Sequence, residues 1–229
     1  MVLLHGIGRS LEDWTEQHEL LRARHRVYSM DLAGSGWSEP LDEPYTLPAL
    51  ARFVVEFLDA VKIAKPAHVV GNSLGGAVAM QLAVDAPHRV ASLVLVNSAG
   101  FGREVTIGLR LLAIRPLGRL LLRPSRYGAR RIEHGLFHDP SFVTPARVEH
   151  TFALAQRPHA ARVLRETARV LGTIRGVRPQ WRKTLLRSRA ELDIPTLILW
   201  GDRDLILPAT HLNAARTHLP HAQAHLSPD

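Results

Sequence analysis

The chain has 229 residues, 46% hydrophobic and 22% charged, a balance that fits a globular protein with one sizeable core. It contains no cysteine, which excludes disulfides, zinc–thiolate sites and thiol nucleophiles, and no apolar run approaches the ~18 residues of a membrane span. The formal charge of +8 is uneven, because residues 103–190 hold 19 Lys and Arg against 5 Asp and Glu while the rest hold 10 against 16. Such asymmetry can accompany nucleic-acid or membrane-surface binding, yet no zinc finger or RNA-recognition strand travels with it. A solvated helical face is expected instead, with no nucleic-acid partner and no stable membrane insertion. The opening MVLLHGIG has no basic leader or small-residue cleavage site, so a cytoplasmic location is expected.

In chain order, residues 2–4 form a short apolar strand ending at His5-Gly6. Ser10 then precedes a helix over 11–24, with Asp13 three positions on as an imperfect capping partner. Residues 26–30 alternate towards Asp31, and DLAGSGWSEP reads as a glycine–proline loop. Over 47–63, Leu50, Phe53, Val54, Phe57, Leu58 and Val61 recur at helical spacing. A strand over 67–70, a helix over 75–84 and a continuous apolar strand over 90–96 follow, the last of a kind buried on both faces. From 101 to 190 no convincing strand is visible. Helices are expected over 109–122, 145–155 and 160–174, broken by Pro116, Pro124 and Pro158. Strand character returns at 194–200, then GDRDLILP, a helix over 209–218 and a short strand over 222–226. A basic helical segment thus interrupts an α/β core with a mostly parallel sheet flanked by helices.

Between the strand ending at Val70 and the helix starting near Gly75 lies Gly71-Asn72-Ser73-Leu74-Gly75, a G-x-S-x-G turn. A serine on so tight a strand-to-helix turn is held in strained backbone geometry, and the flanking glycines remove side chains that would clash. The turn lifts the hydroxyl above the sheet, while the helix start offers unpaired N–H groups and a partial positive charge. A developing oxyanion could bind the Leu74 N–H. His5-Gly6-Ile7-Gly8 ends the first strand and offers the Ile7 N–H as a second donor. His5 is expected to hydrogen-bond the surrounding loops rather than act as a base.

The HG-x-G after a strand, DLAGSGWS after the next, GNSLGG, and later LWGDRDLILP arrive in an order that resembles the α/β-hydrolase family across nearly the whole chain. That resemblance implies an α/β-hydrolase-like fold, with residues 1–100 and 191–229 as core and 101–190 as an inserted helical cap. GNSLGG looks most like serine-dependent esterases and carbon–carbon bond hydrolases acting on ring-cleavage products. It implies Ser73 as nucleophile, Ile7 and Leu74 as oxyanion donors, and Asp204 of Gly201-Asp202-Arg203-Asp204 as the acid that orients the base. Asp202 is the alternative, capping the turn or pairing with an arginine. The family's histidine sits in a G-H dipeptide after the eighth strand, and is expected a few residues beyond Asp229. His218, His221 and His225 do not follow a glycine in such a loop, so none is nominated. The family's leading hairpin is likewise expected before residue 1. A catalytically inactive binding or scaffold protein is the other reading.

The thirteen histidines suggest no metal site: His134 and His138 are four apart, but Gly135 weakens that helix and no third ligand is evident. Gly34 and Gly36 run into prolines rather than a helix, unlike a dinucleotide fingerprint, and no G-K-[ST] phosphate loop occurs. No cofactor is expected. A small-molecule substrate is, and Leu109, Leu112, Leu120 and Leu121 suggest that it carries an apolar acyl or aryl group.

Overall fold

The computed structural model describes residues 1–114 and 122–228. Six parallel strands form one sheet in the order β2-β1-β3-β4-β7-β8. They are β1 (Val2–Leu4), β2 (Tyr28–Met30), β3 (Ala67–Asn72), β4 (Val90–Val96), β7 (Thr196–Gly201) and β8 (Gln223–Ser227). The chain leaves β1 to one side, forms β2, and returns on the other side as β3. In parallel sheets such a reversal opens a crevice beyond the strand C-termini, here between the loops that follow β1 and β3.

The central strands are apolar because both faces are covered. Val2, Leu4, Val69, Leu93 and Leu95 are buried among the helices' apolar faces, each such side chain contributing roughly 1.5–3 kcal/mol. Helix α2 (Leu47–Ala60) starts where Thr46 Oγ1 accepts the Ala49 N–H at 3.2 Å. It stops short of the apolar periodicity because Lys62 turns left-handed (φ 57°) and the Ile63 N–H bonds back to the Leu58 carbonyl at 2.8 Å. Helix α3 (Leu74–Asp85) is buried nearly all round, between the sheet, α2 and the helix over Pro179–Ala190.

The first helix departs from expectation. Ser10 makes no capping bond; its hydroxyl pairs with His150 Nε2 at 2.8 Å, and the Leu11 N–H goes to Asp31 Oδ1 at 2.7 Å. With the cap diverted, Leu11–Trp14 is a 3₁₀ turn, and α1 covers only Thr15–Leu21.

Between β4 and β7 lie α4 (Ile107–Leu112), α5 (Arg126–His134), α6 (Pro145–Ala155), α7 (Ala160–Leu171) and α8 (Pro179–Ala190). In the described part of the helix expected over 109–122, α4 ends at Leu112, and residues 115–121, with Pro116, Leu120 and Leu121, lie outside the described residues. This stretch is not free of strands. β5 (Gly172–Thr173) and β6 (Gly176–Val177) pair antiparallel, turned by Gly176 at φ 101°. Two-residue strands carry no periodicity, so the expected helix simply ran on through them. Helix α9 (His211–His218) precedes β8. No helix among the described residues is long and apolar enough to cross a membrane.

Candidate active site

The turn after β3 has the strain its glycines suggested. Ser73 sits at φ 52°, ψ −113°, a region that side-chain-bearing residues rarely occupy. A Cβ on Gly71 would lie 2.3 Å from the Gly75 carbonyl oxygen, and one on Gly75 only 2.2 Å from that of Leu4. The first turn of α3 therefore rests directly on the end of β1. The bend is held from below, where the Ser73 N–H donates to the Val96 carbonyl at 3.1 Å and the Ser73 carbonyl accepts the Ala99 N–H at 2.9 Å. Ser73 itself is half-buried.

The loop after β1 meets this turn. A Cβ built on Gly6 would stand 3.4 Å from Ser73 Cβ and 3.1 Å from Asn72 Oδ1. His5 fixes the loop from inside: its Nε2 accepts the Leu32 N–H at 3.0 Å, so Nδ1 carries the proton and donates to the Gly6 carbonyl at 2.7 Å. Burial pushes its pKa below the ordinary value, so the ring is neutral. Both partners are loop backbone, as expected for a structural histidine. Ile7 and Leu74 line the same largely apolar pocket of about 90 Å³, walled by Leu32 and Tyr45 on one side and by Leu154 and Leu164 of the helical segment on the other. Among the described residues, no backbone carbonyl takes the Ile7 or Leu74 N–H.

Asp204 follows β7, on the same edge of the sheet. Its Oδ1 accepts the N–H groups of Ile206 and Leu207 at 2.7 and 2.9 Å. Its Oδ2 accepts from Asn97 Nδ2 in a short contact. Asn97, at φ 45°, bends the chain after β4, and its Oδ1 accepts the Gly201 N–H at 3.3 Å. Val96, which holds the Ser73 N–H, is its neighbour. A continuous set of contacts across three adjacent strands thus links Ser73, Asn97 and Asp204. Asn97 was not singled out from the sequence; an Asn directly after a buried strand, where a left-handed residue ends the run, was the available signal. Asp202 is exposed.

His218, His221 and His225 are all exposed, and His225 lies within β8. His211, which sequence reading passed over, is 3% exposed and packs edge-on against Trp200. Its Nε2 lies 3.0 Å from Glu104 Oε2, and burial lowers its pKa while Glu104 pulls the other way. Its ring fills the space between Trp200 and the backbone of Gly102. No group of three or more candidate metal ligands occurs among the described residues.

A six-stranded parallel sheet with a strained serine turn, a glycine loop beside it and a carboxylate on the same edge defines an α/β-hydrolase-type molecule. The chain belongs to the alpha/beta hydrolase fold family, which it matches over residues 1–229. It is 34% identical over 211 residues to the dihydrolipoyllysine-residue acetyltransferase component of the acetoin cleaving system of Pseudomonas putida, covering 92% of this chain and 53% of that protein. It is 28% identical over 236 residues to a 2-hydroxy-6-oxononadienedioate/2-hydroxy-6-oxononatrienedioate hydrolase of Comamonas testosteroni, covering 100% and 79%. Its fold superposes on the solved 2-hydroxy-6-oxo-6-phenylhexa-2,4-dienoate hydrolase from Rhodococcus sp. strain RHA1 with a TM-score of 0.76 and 25% identity, over 99% of this chain and 81% of that one. The chain spans about half the length of the acetyltransferase components that it matches.

Proposed function

We propose that the protein is a serine hydrolase of a small, largely apolar carbonyl compound, either a carboxylic ester or the carbon–carbon bond of a ring-cleavage product. The observation that carries this reading is the Ser73 backbone at φ 52°, ψ −113°, a strain worth roughly 1–3 kcal/mol that a plain packing turn would not retain. In this reading residues 101–190 are a cap over the core, and the pocket between them holds the acyl or aryl group. Ser73 Oγ attacks the substrate carbonyl as an imidazole takes its proton. The oxyanion is held by the Ile7 and Leu74 N–H groups. The leaving group departs with that proton, and water then cleaves the acyl-serine.

The imidazole is proposed to come from the loop after β8. That strand runs parallel to β7, with Ser227 beside Gly201, so a chain leaving it emerges on the edge that carries Ser73 and Asp204. Asp204 fixes the imidazole's tautomer and orientation. The relatives named as hydrolases of 2-hydroxy-6-oxo dienoates support the substrate class. The test is labelling of the full-length protein with a fluorophosphonate. Modification at Ser73, absent in Ser73→Ala, is expected; a folded protein that resists the reagent would favour the inactive scaffold.

A further inference from the structure

The loop that offers the Ile7 amide is gripped by the helical segment above it. Arg9, two residues past Ile7, is 7% exposed, and its guanidinium is spent on four hydrogen bonds. Nε and Nη2 take both oxygens of Asp13 at 2.8 and 2.6 Å. Nη1 reaches Glu133 Oε1 on α5 at 2.6 Å and Thr151 Oγ1 on α6 at 2.9 Å. The Thr151 hydroxyl donates to the same Glu133 oxygen, closing the set. The adjoining loop residues are held the same way. Leu164 of α7 covers Gly8, and Ser10 pairs with His150 of α6. The Arg9 N–H closes the turn on the Gly6 carbonyl at 3.3 Å, so side chain and amide belong to one short bend.

Glu133 is fully buried. Parting it from Arg9 would leave a carboxylate without its counter-charge in the interior, a costly state. When α5 and α6 shift, the loop must follow or the pair must break. We propose that Arg9 is a positioning residue that ties the Ile7 amide to helices α5 and α6, so that the oxyanion hole is complete only when those helices are seated. The inference rests on the reading of Ile7 as an oxyanion donor given above. It adds that the helical segment controls reactivity as well as covering the pocket.

The decisive variants lie on the helices, away from Ser73. In the full-length protein, Glu133→Gln and Thr151→Val are expected to slow the maximal rate of Ser73 phosphonylation by about tenfold to a hundredfold, as displaced donors do. Apparent affinity for the reagent should stay within about threefold in Glu133→Gln, because Glu133 does not line the pocket. Arg9→Lys keeps the charge but not the fork and should fall between. Arg9→Met alone strands Glu133 in the interior and is expected to destabilise the protein strongly, so it is paired with Glu133→Met. If Arg9 only stabilises the fold, restoring the melting temperature in that double variant restores the rate, and the proposal is overturned. If the rate stays low in a stable protein, it stands. A separate arm follows hydrogen exchange of the amides at residues 6–10, which should quicken in Glu133→Gln; unchanged exchange overturns the linkage. Wild-type protein that resists phosphonylation would sink the hydrolase reading, a failure distinguishable from that one.

Discussion

The single most informative residue conformation is that of Ser73, whose left-handed φ persists because everything around it is overdetermined. Its N–H, its carbonyl and both neighbouring glycines are committed to β4, to the following bend and to the end of β1. Asn97 is the residue that sequence reading lacked most. It satisfies one oxygen of Asp204 while its own carbonyl oxygen holds the Gly201 N–H, so it orients the carboxylate from the side facing Ser73's strand. A hydrogen bond to a charged group is worth about 1.5 kcal/mol or more, which corresponds to roughly tenfold in rate. Asn97→Ala is accordingly expected to slow Ser73 phosphonylation about tenfold, read by timed fluorophosphonate labelling. An unaltered rate would mean that the two backbone N–H groups on Oδ1 position Asp204 unaided.

Among the elements, α3 shows how close packing overrides local preference. Its first turn contains Gly75 and Gly76, and replacing a helical glycine by alanine ordinarily stabilises by up to ~1 kcal/mol. At Gly75 the new Cβ would fall 2.2 Å from a backbone oxygen of β1, which cannot swing aside as a side chain could. Gly75→Ala is therefore expected to destabilise by about 3 kcal/mol, seen as a lower denaturant midpoint at unchanged slope. A gain in stability would show that α3 does not rest on β1 as closely as described. The helical segment obeys a different logic. Several of its arginines bond within it: Arg126 pairs with Glu149, Arg162 with Glu166, and Arg178 donates to the Arg169 carbonyl. These are local contacts between largely exposed groups, and each contributes little to stability.

At the scale of the whole molecule, two buried imidazoles couple stability to pH. Burial lowers the pKa of both His5 and His211 below the ordinary 6.5. The unfolded chain therefore binds protons that the folded one refuses. Their contribution to stability is complete above about pH 6.5 and is lost as the pH falls through that value towards the lower folded pKa, with a slope of up to ~1.4 kcal/mol per pH unit for each group. Melting temperature is expected to be level from pH 8 to 7 and to drop towards pH 5. His211→Gln should flatten part of that drop, and a variant that falls as steeply as the wild type would remove His211 from the account.

Much of this molecule was legible before any fold was known. β3, β4 and β7 read as apolar runs because strands covered on both faces need no alternation, and the serine turn announced itself because only glycines fit where two backbones touch. The order HGIG, GNSLGG, GDRD also fixed which loops share the C-terminal edge, since parallel strands send every such loop the same way. What the tertiary structure alone decided were the partnerships: Arg9 with Glu133 and Thr151, 124 and 142 residues away, Asn97 with Asp204, 107 away, and His211 under Gly102. A polar side chain's local spacing says nothing about which distant group will satisfy it once both are buried. Ser10 makes the same point in reverse, as an apparent helix cap whose hydroxyl was claimed by a histidine 140 residues along the chain.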